Sequence, residues 1–217
     1  MTRGRATTAA GLVALATGVV LILALHVVPP TNEISPVRRT LSQYALGPNK
    51  WIFDIGVLLV ALGSVLAFAE LVRRRLVRPL SVPVLLGAVW VACLLVVVLF
   101  TKTNWAVGPS IGGLVHRYAS VVGFLALPVA VLVAAGRAFA DAPGWRFAAR
   151  TCAALSLSVL GVLFVGVLRM LGGGGPWWLF VPLGLVERAM ALAAVAAIAV
   201  VLAGLGAKSR DEVALAA

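Results

Sequence analysis

The sequence predicts an all-α fold, a bundle of six transmembrane helices, and three observations carry that expectation. First, 62% of the 217 residues are hydrophobic and 12% are charged, against about 25% charged in a soluble domain; mean hydropathy is +1.10. Second, the apolar residues gather into six blocks of about 20, the length that crosses about 30 Å of hydrocarbon as a helix. Third, no block alternates as a barrel strand does, so each segment has to satisfy its own amides as a helix. A soluble globule, a disordered chain and a disulfide scaffold are excluded, the last because there are only two cysteines.

The blocks are residues 9–28, 51–72, 82–100, 112–136, 151–171 and 178–205, read as one domain over residues 1–217. The first is placed like a secretory signal. It is too long for one, ends in His26-Val27-Val28-Pro29-Pro30 without a small-x-small cleavage site, and begins with the basic pattern of a retained anchor. Residues 29–50 form the longest polar stretch; Pro-Pro, Ser-Pro and Gly-Pro steps break it, while residues 37–44 could make a short interfacial helix. In the second span Gly56 and Gly63 lie nearly opposite Asp54, so protein is expected on both of its sides. In the fourth, His116 heads Ser120 and Gly123 and turns inward, whereas Arg117 heads Val121 and Phe124 toward the edge. Gly172-Gly173-Gly174-Gly175 separates the fifth span from the sixth, and single prolines at 128 and 182 suggest kinks. In the last span Glu187 heads Ala191 and Ala194, a face that packs closely, and Arg188 heads Leu192 and Val195 at the bundle edge, where it can snorkel. Trp51, Trp105, Trp177 and Trp178 all fall at expected outer boundaries, as an aromatic belt would.

Lysine and arginine set the expected orientation. With a cytoplasmic N-terminus, that side holds eleven: Arg3, Arg5, Arg73, Arg74, Arg75, Arg78, Arg137, Arg146, Arg150, Lys208 and Arg210. The other side holds Arg38, Arg39, Lys50 and Lys102. The positive-inside rule then puts both termini in the cytoplasm. The net charge of +11 is therefore topological and not a nucleic-acid footprint. Fifteen arginines to three lysines in an alanine- and valine-rich chain point to a bacterial plasma membrane.

The ionisable residues of the spans supply the functional reading. His26, Asp54, His116, Arg117, Arg169, Glu187 and Arg188 all lie in the outer half; Glu70 lies at the inner boundary, one turn from Arg73 and Arg74, and reads as a solvated ion pair. Charge toward the bilayer centre costs about 2.5–3.5 kcal/mol per residue and turns inward to a partner or water. The expectation is an outward-opening polar cavity lined by Asp54, His116, Arg169 and Glu187, with Arg117 and Arg188 nearby, pairing Asp54 with Arg117 and Glu187 with Arg169. Counted with Lys102, four fixed positive charges against two negative ones favour an anionic group such as a lipid phosphate. The plainer alternative is that the same groups pair and hold the helices in register.

Two other classes compete with a non-enzymatic amphiphile binder. One is an enzyme on lipid head groups, with His116 as acid or base and Asp54 or Glu187 as its partner; no Gly-x-Ser-x-Gly motif supports it. The other is a structural subunit whose glycine and alanine faces meet a second copy or another membrane protein. No cofactor is expected: haem between His26 and His116 is conceivable, but a core histidine with a polar neighbour is the commoner case. No metal is expected either, because no His-x-x-x-His occurs and Cys93 and Cys152 lie at different depths.

Three stretches are familiar together. They are Leu41-Ser42-Gln43-Tyr44 followed by Gly47-Pro48-Asn49, residues 108–116 opening the fourth span, and Gly184-Leu185-Val186-Glu187-Arg188 in the last. In their order and spacing the chain resembles, over nearly its whole length, the bacterial membrane family catalogued as domain of unknown function 998. The resemblance implies a six-helix membrane protein without an assigned activity, cofactor or partner, and marks Ser42, Tyr44, His116, Glu187 and Arg188 as positions of interest. Thr101-Lys102-Thr103 departs from it, standing where an acidic residue is expected after the third span.

Overall fold

The computed structural model describes residues 3–215, with side chains over residues 4–208. Six helices are long and apolar enough to cross a membrane: α1 (Arg3–Ala24), α2 (Lys50–Arg73), α3 (Val82–Leu99), α4 (Ile111–Ala138), α5 (Pro143–Leu171) and α7 (Leu183–Leu215). A short helix, α6 (Trp177–Phe180), lies between the last two, and no strand occurs among the described residues. Even α3, the shortest with 18 residues, reaches about 27 Å at 1.5 Å per residue.

The helix ends differ from the apolar blocks for identifiable reasons. The first helix stops at Ala24, not residue 28; His26 Nδ1 turns back onto the Ile22 and Leu23 carbonyls, both at 3.2 Å, and Pro29 and Pro30, which have no amide to donate, follow. The fifth starts at Pro143, eight residues before its apolar block, since proline at a first helical position lacks only an amide that is unsatisfied there anyway. The last does not run from residue 178: Val181 is extended before Pro182, which isolates α6 and delays α7 to Leu183. Pro182 is therefore a break, whereas Pro128 stays inside α4. The short helix expected over residues 37–44 is a 3-10 helix at Leu41–Leu46.

Packing follows the small residues. Gly11 and Gly18 of α1 meet Gly56 and Gly63 of α2 so closely that a Cβ on Gly18 would lie 2.7 Å from Gly56 O, and one on Gly63 2.6 Å from Leu15. With no hydrophobic force between helices in lipid, such approach is what lets dispersion hold them together. The expectation for the glycine face of α2 is thus met by α1. Across α2, Trp90 Nε1 of α3 donates to Ser64 Oγ at 3.0 Å, and Ser64 donates to Val60 O at 2.8 Å. The densest core joins α4 and α7 to α2 through Leu127, Ala134, Ala194, Ile198, Leu202 and Leu71. Leu192, by contrast, is exposed.

One end of the bundle gathers the arginines. α1 begins and α7 ends there, because Gly4 lies against Arg73, Glu70 and Arg74, and Arg74 Nη1 donates to Leu205 O at 2.8 Å. Glu70 is not solvated as expected: its side chain is fully buried, accepting from Arg73 Nε and Nη2 at 2.7 and 2.6 Å and from Arg74 Nε at 2.6 Å. Two arginines crossing one carboxylate pull it beneath them, and the start of α1 covers it. Lys208 Nζ donates to Ala138 O at 3.1 Å, placing a cation at the carbonyl end of α4. The side chains of Arg3 and Arg210, counted toward the orientation, lie outside the described residues, as do the two terminal residues at each end.

Gly56→Leu will force α1 from α2 and lower the unfolding free energy by at least about 1–3 kcal/mol, the usual cost of overpacking. Gly161→Leu, where nothing lies within 4 Å of an added Cβ, will leave it nearly unchanged. Thermal unfolding in detergent compares the two.

Candidate functional site

The opposite end carries the loops, and Arg188 organises it. Gly184, in the first turn of α7, has no side chain to hold off the loop, so residues 36–39 lie directly on it. Val37 O accepts from Gly184 N at 2.9 Å and Leu185 N at 3.3 Å, satisfying amides that have no partner within the helix. One turn on, Arg188 reaches back over the same loop. Its Nη1 donates to Pro36 O, Arg39 O and Gly184 O at 2.9, 2.7 and 3.0 Å; its Nε donates to His26 Nε2 at 2.9 Å and its Nη2 to Tyr44 OH at 3.1 Å. The guanidinium also lies 5.7 Å from the Tyr44 ring centroid, and His26 meets that ring edge-on at 5.4 Å. These partners assign the His26 proton to Nδ1 and the lone pair to Nε2. Both ring nitrogens are therefore engaged by the protein. The sequence expectation that Arg188 snorkels at the edge is corrected: a guanidinium with five donors is drawn to the carbonyls of the loop above it.

Beside this clamp, Glu187 and Lys102 hold the 3-10 helix. Leu41 N donates to Glu187 Oε2 at 2.8 Å, so the carboxylate caps that helix instead of pairing with Arg169. Lys102 Nζ donates to Thr40 Oγ1 at 2.9 Å and to Gln43 Oε1 at 3.1 Å, and Thr40 Oγ1 lies 3.2 Å from Ser42 Oγ. Burial pushes the Lys102 ammonium below the ordinary lysine range; the Glu187 charge opposes that push, while Arg39 and Arg117 add to it. Ser42 and Tyr44 are buried beneath these contacts.

The remaining expected site residues lie apart. Asp54 Oδ2 pairs with Lys50 Nζ at 2.5 Å, one turn away, and not with Arg117; Lys50 also donates to Val98 O at 3.2 Å, and Asp54 Oδ1 is buried without a hydrogen-bond partner. His116 is buried as expected, but its Nδ1 donates to Phe100 O at 2.6 Å, capping the carbonyl end of α3. Arg117 is exposed, 5.8 Å from the Trp105 ring, and Arg169 stacks 4.5 Å from the Phe180 ring on another side of the bundle. Neither expected ion pair forms: each carboxylate takes a donor within its own turn or the adjoining loop instead.

Two concavities open at this end. The larger, about 460 Å³, is lined by Glu33, Ile34, Ser35, Arg39, Gln43, Leu46 and the 103–106 loop including Trp105; the smaller, about 350 Å³, is lined by Thr103, Trp105, Pro109, Ser110, Ile111, Leu114 and Arg117. They share Thr103 and Trp105. Asp54, His116, Arg169 and Glu187 line neither of these two concavities, which lie between loops. The sequence pattern does not mark Glu33, Arg39 or Gln43 as site residues, and it marks Trp105 as a belt anchor. One signal was present: Glu33 is the only acidic residue before Asp54. Among the described residues, no group of three His, Cys, Asp or Glu is placed to hold a metal ion.

Arg188→Lys leaves three donors on a single atom, unable to serve His26, Tyr44 and the loop carbonyls together. At about 1.5–3 kcal/mol per charged hydrogen bond, the loss will exceed about 3 kcal/mol, and limited proteolysis will cut residues 29–49 faster. Lys102, whose burial holds its ammonium below the ordinary lysine range, will react with an acylating reagent at lower pH than an ordinary lysine, and Arg39→Gln will move that midpoint upward. Peptide mass spectrometry across a pH series reads both.

No curated protein and no solved structure matches the chain. One family profile does, over residues 5–204. That match takes in all six spanning helices, the clamp around Arg188 and both clefts. The chain therefore belongs to the family described as Protein of unknown function (DUF998).

Proposed function

We propose that this membrane protein binds an amphiphile bearing an anionic group, a lipid phosphate above all, at its loop-bearing end. The observation that carries the reading is the shared wall of the two concavities. One side of Thr103 and Trp105 is polar and holds Arg39; the other is apolar, with Pro109, Ile111 and Leu114, and opens along α4. A head group suits the first and an acyl chain the second, and volumes of about 300–1,000 Å³ are those of small-molecule sites. The Lys102 and Arg117 charges add to an anion-attracting field around the cleft. Trp105 is 65% exposed, a ring positioned for the interface between water and hydrocarbon. The lysine and arginine asymmetry supports placing this end outside a bacterial plasma membrane, with the arginine-rich end in the cytoplasm. His116, whose Nδ1 donates to Phe100 O and which lines neither cleft, gives no support to a catalytic reading.

Protein purified in mild detergent will retain phospholipid, detected by lipid extraction and mass spectrometry. Trp105→Ala and Arg39→Gln will each reduce the retained amount several-fold, and Arg169→Ala, whose guanidinium stacks on Phe180, will not. A wild-type protein free of phospholipid would overturn the reading.

A further inference from the structure

Resting on that amphiphile reading, we infer that the head group carries an ammonium as well as a phosphate, the phosphoethanolamine class. The larger cleft has opposite charges on its walls, Glu33 and Arg39. Among the described residues the ion pairs are Lys50 with Asp54 and Glu70 with Arg73 and Arg74, and neither the Glu33 carboxylate nor the Arg39 guanidinium has a partner among them. These two exposed unlike charges line one cleft without pairing, and the backbone that carries each is held in place.

Arg39 O is held by Arg188 Nη1 at 2.7 Å. Glu33 ends the 3-10 turn Thr31–Glu33, whose buried Thr31 donates to Val28 O at 2.7 Å while Asn49 Nδ2 donates to Pro29 O at 3.0 Å. An occupant with one charge would satisfy one wall and be repelled by the other. An occupant with two satisfies both. The phosphate takes Arg39, with the Lys102 charge behind Gln43; the primary ammonium donates to the Glu33 carboxylate, with the Trp105 ring in the same wall as a cation-binding face.

The test is native mass spectrometry of the full-length protein in mild detergent, titrated with phosphatidylethanolamine, phosphatidylglycerol and diacylglycerol of the same acyl chains. Phosphatidylethanolamine will bind about tenfold tighter than phosphatidylglycerol, the worth of one charge-assisted hydrogen bond. Glu33→Gln, at an exposed side chain without partners, will erase that preference by weakening phosphatidylethanolamine alone, and Arg39→Gln will weaken both phospholipids. Phosphatidylglycerol binding as tightly as phosphatidylethanolamine, or a preference that survives Glu33→Gln, overturns this inference and leaves the amphiphile reading standing. Neither phospholipid binding above diacylglycerol overturns both.

Discussion

Where the end of a membrane bundle borders hydrocarbon, irregular backbone is tolerated only if its carbonyls and amides find protein or water partners, because hydrocarbon offers none. The segment between α1 and α2 has two prolines in sequence and no regular helix longer than six residues, so it brings many such groups to the interface. A single side chain settles much of that demand. Arg188 joins the end of α1 through His26, the loop through Pro36 and Arg39, the 3-10 helix through Tyr44 and its own helix through Gly184. A lysine could not do this, since it lacks the planar fork that addresses several acceptors at once. The loop's shape, and with it the cleft, depends on that one guanidinium.

The neighbouring charges extend the same logic. Glu187 caps the first amide of the 3-10 helix, and Lys102 ties that helix to the loop after α3. Lys102 stands where the family resemblance leads one to expect an acid. The side chain next to Glu187 is thus a cation, and the field over the cleft is more positive than an acid there would make it. At the far end Glu70 lies beneath Arg73 and Arg74 and brings α1, α2 and α7 to one point. The bundle is stapled electrostatically at both ends and by dispersion between them, where Gly18 and Gly56 let two helices touch.

Because the loops are held from below, the side chains on their upper surfaces are left to line the cleft. The residues that the sequence marked as site candidates are mostly the staples: Ser42, Tyr44, Glu187 and Arg188 build the floor, and His116 caps α3. The residues that line the cleft are their neighbours in the chain, Arg39 and Gln43, and a tryptophan on the facing loop. Positions of interest in this fold are therefore structural determinants of a site as much as members of it.

Hydrophobic block length and composition determined the six helices, because a 30 Å slab admits few alternatives for segments this apolar. Helical periodicity likewise determined that His116 and the alanines below Glu187 face inward and that Gly56 and Gly63 meet a neighbour. Tertiary structure alone decided the charge partners. An arginine or carboxylate can reach several acceptors from one helix position, and which it takes depends on where a proline-broken loop folds back. That is a matter of distances between segments remote in the chain, as with Arg188 and His26, and no periodicity records them.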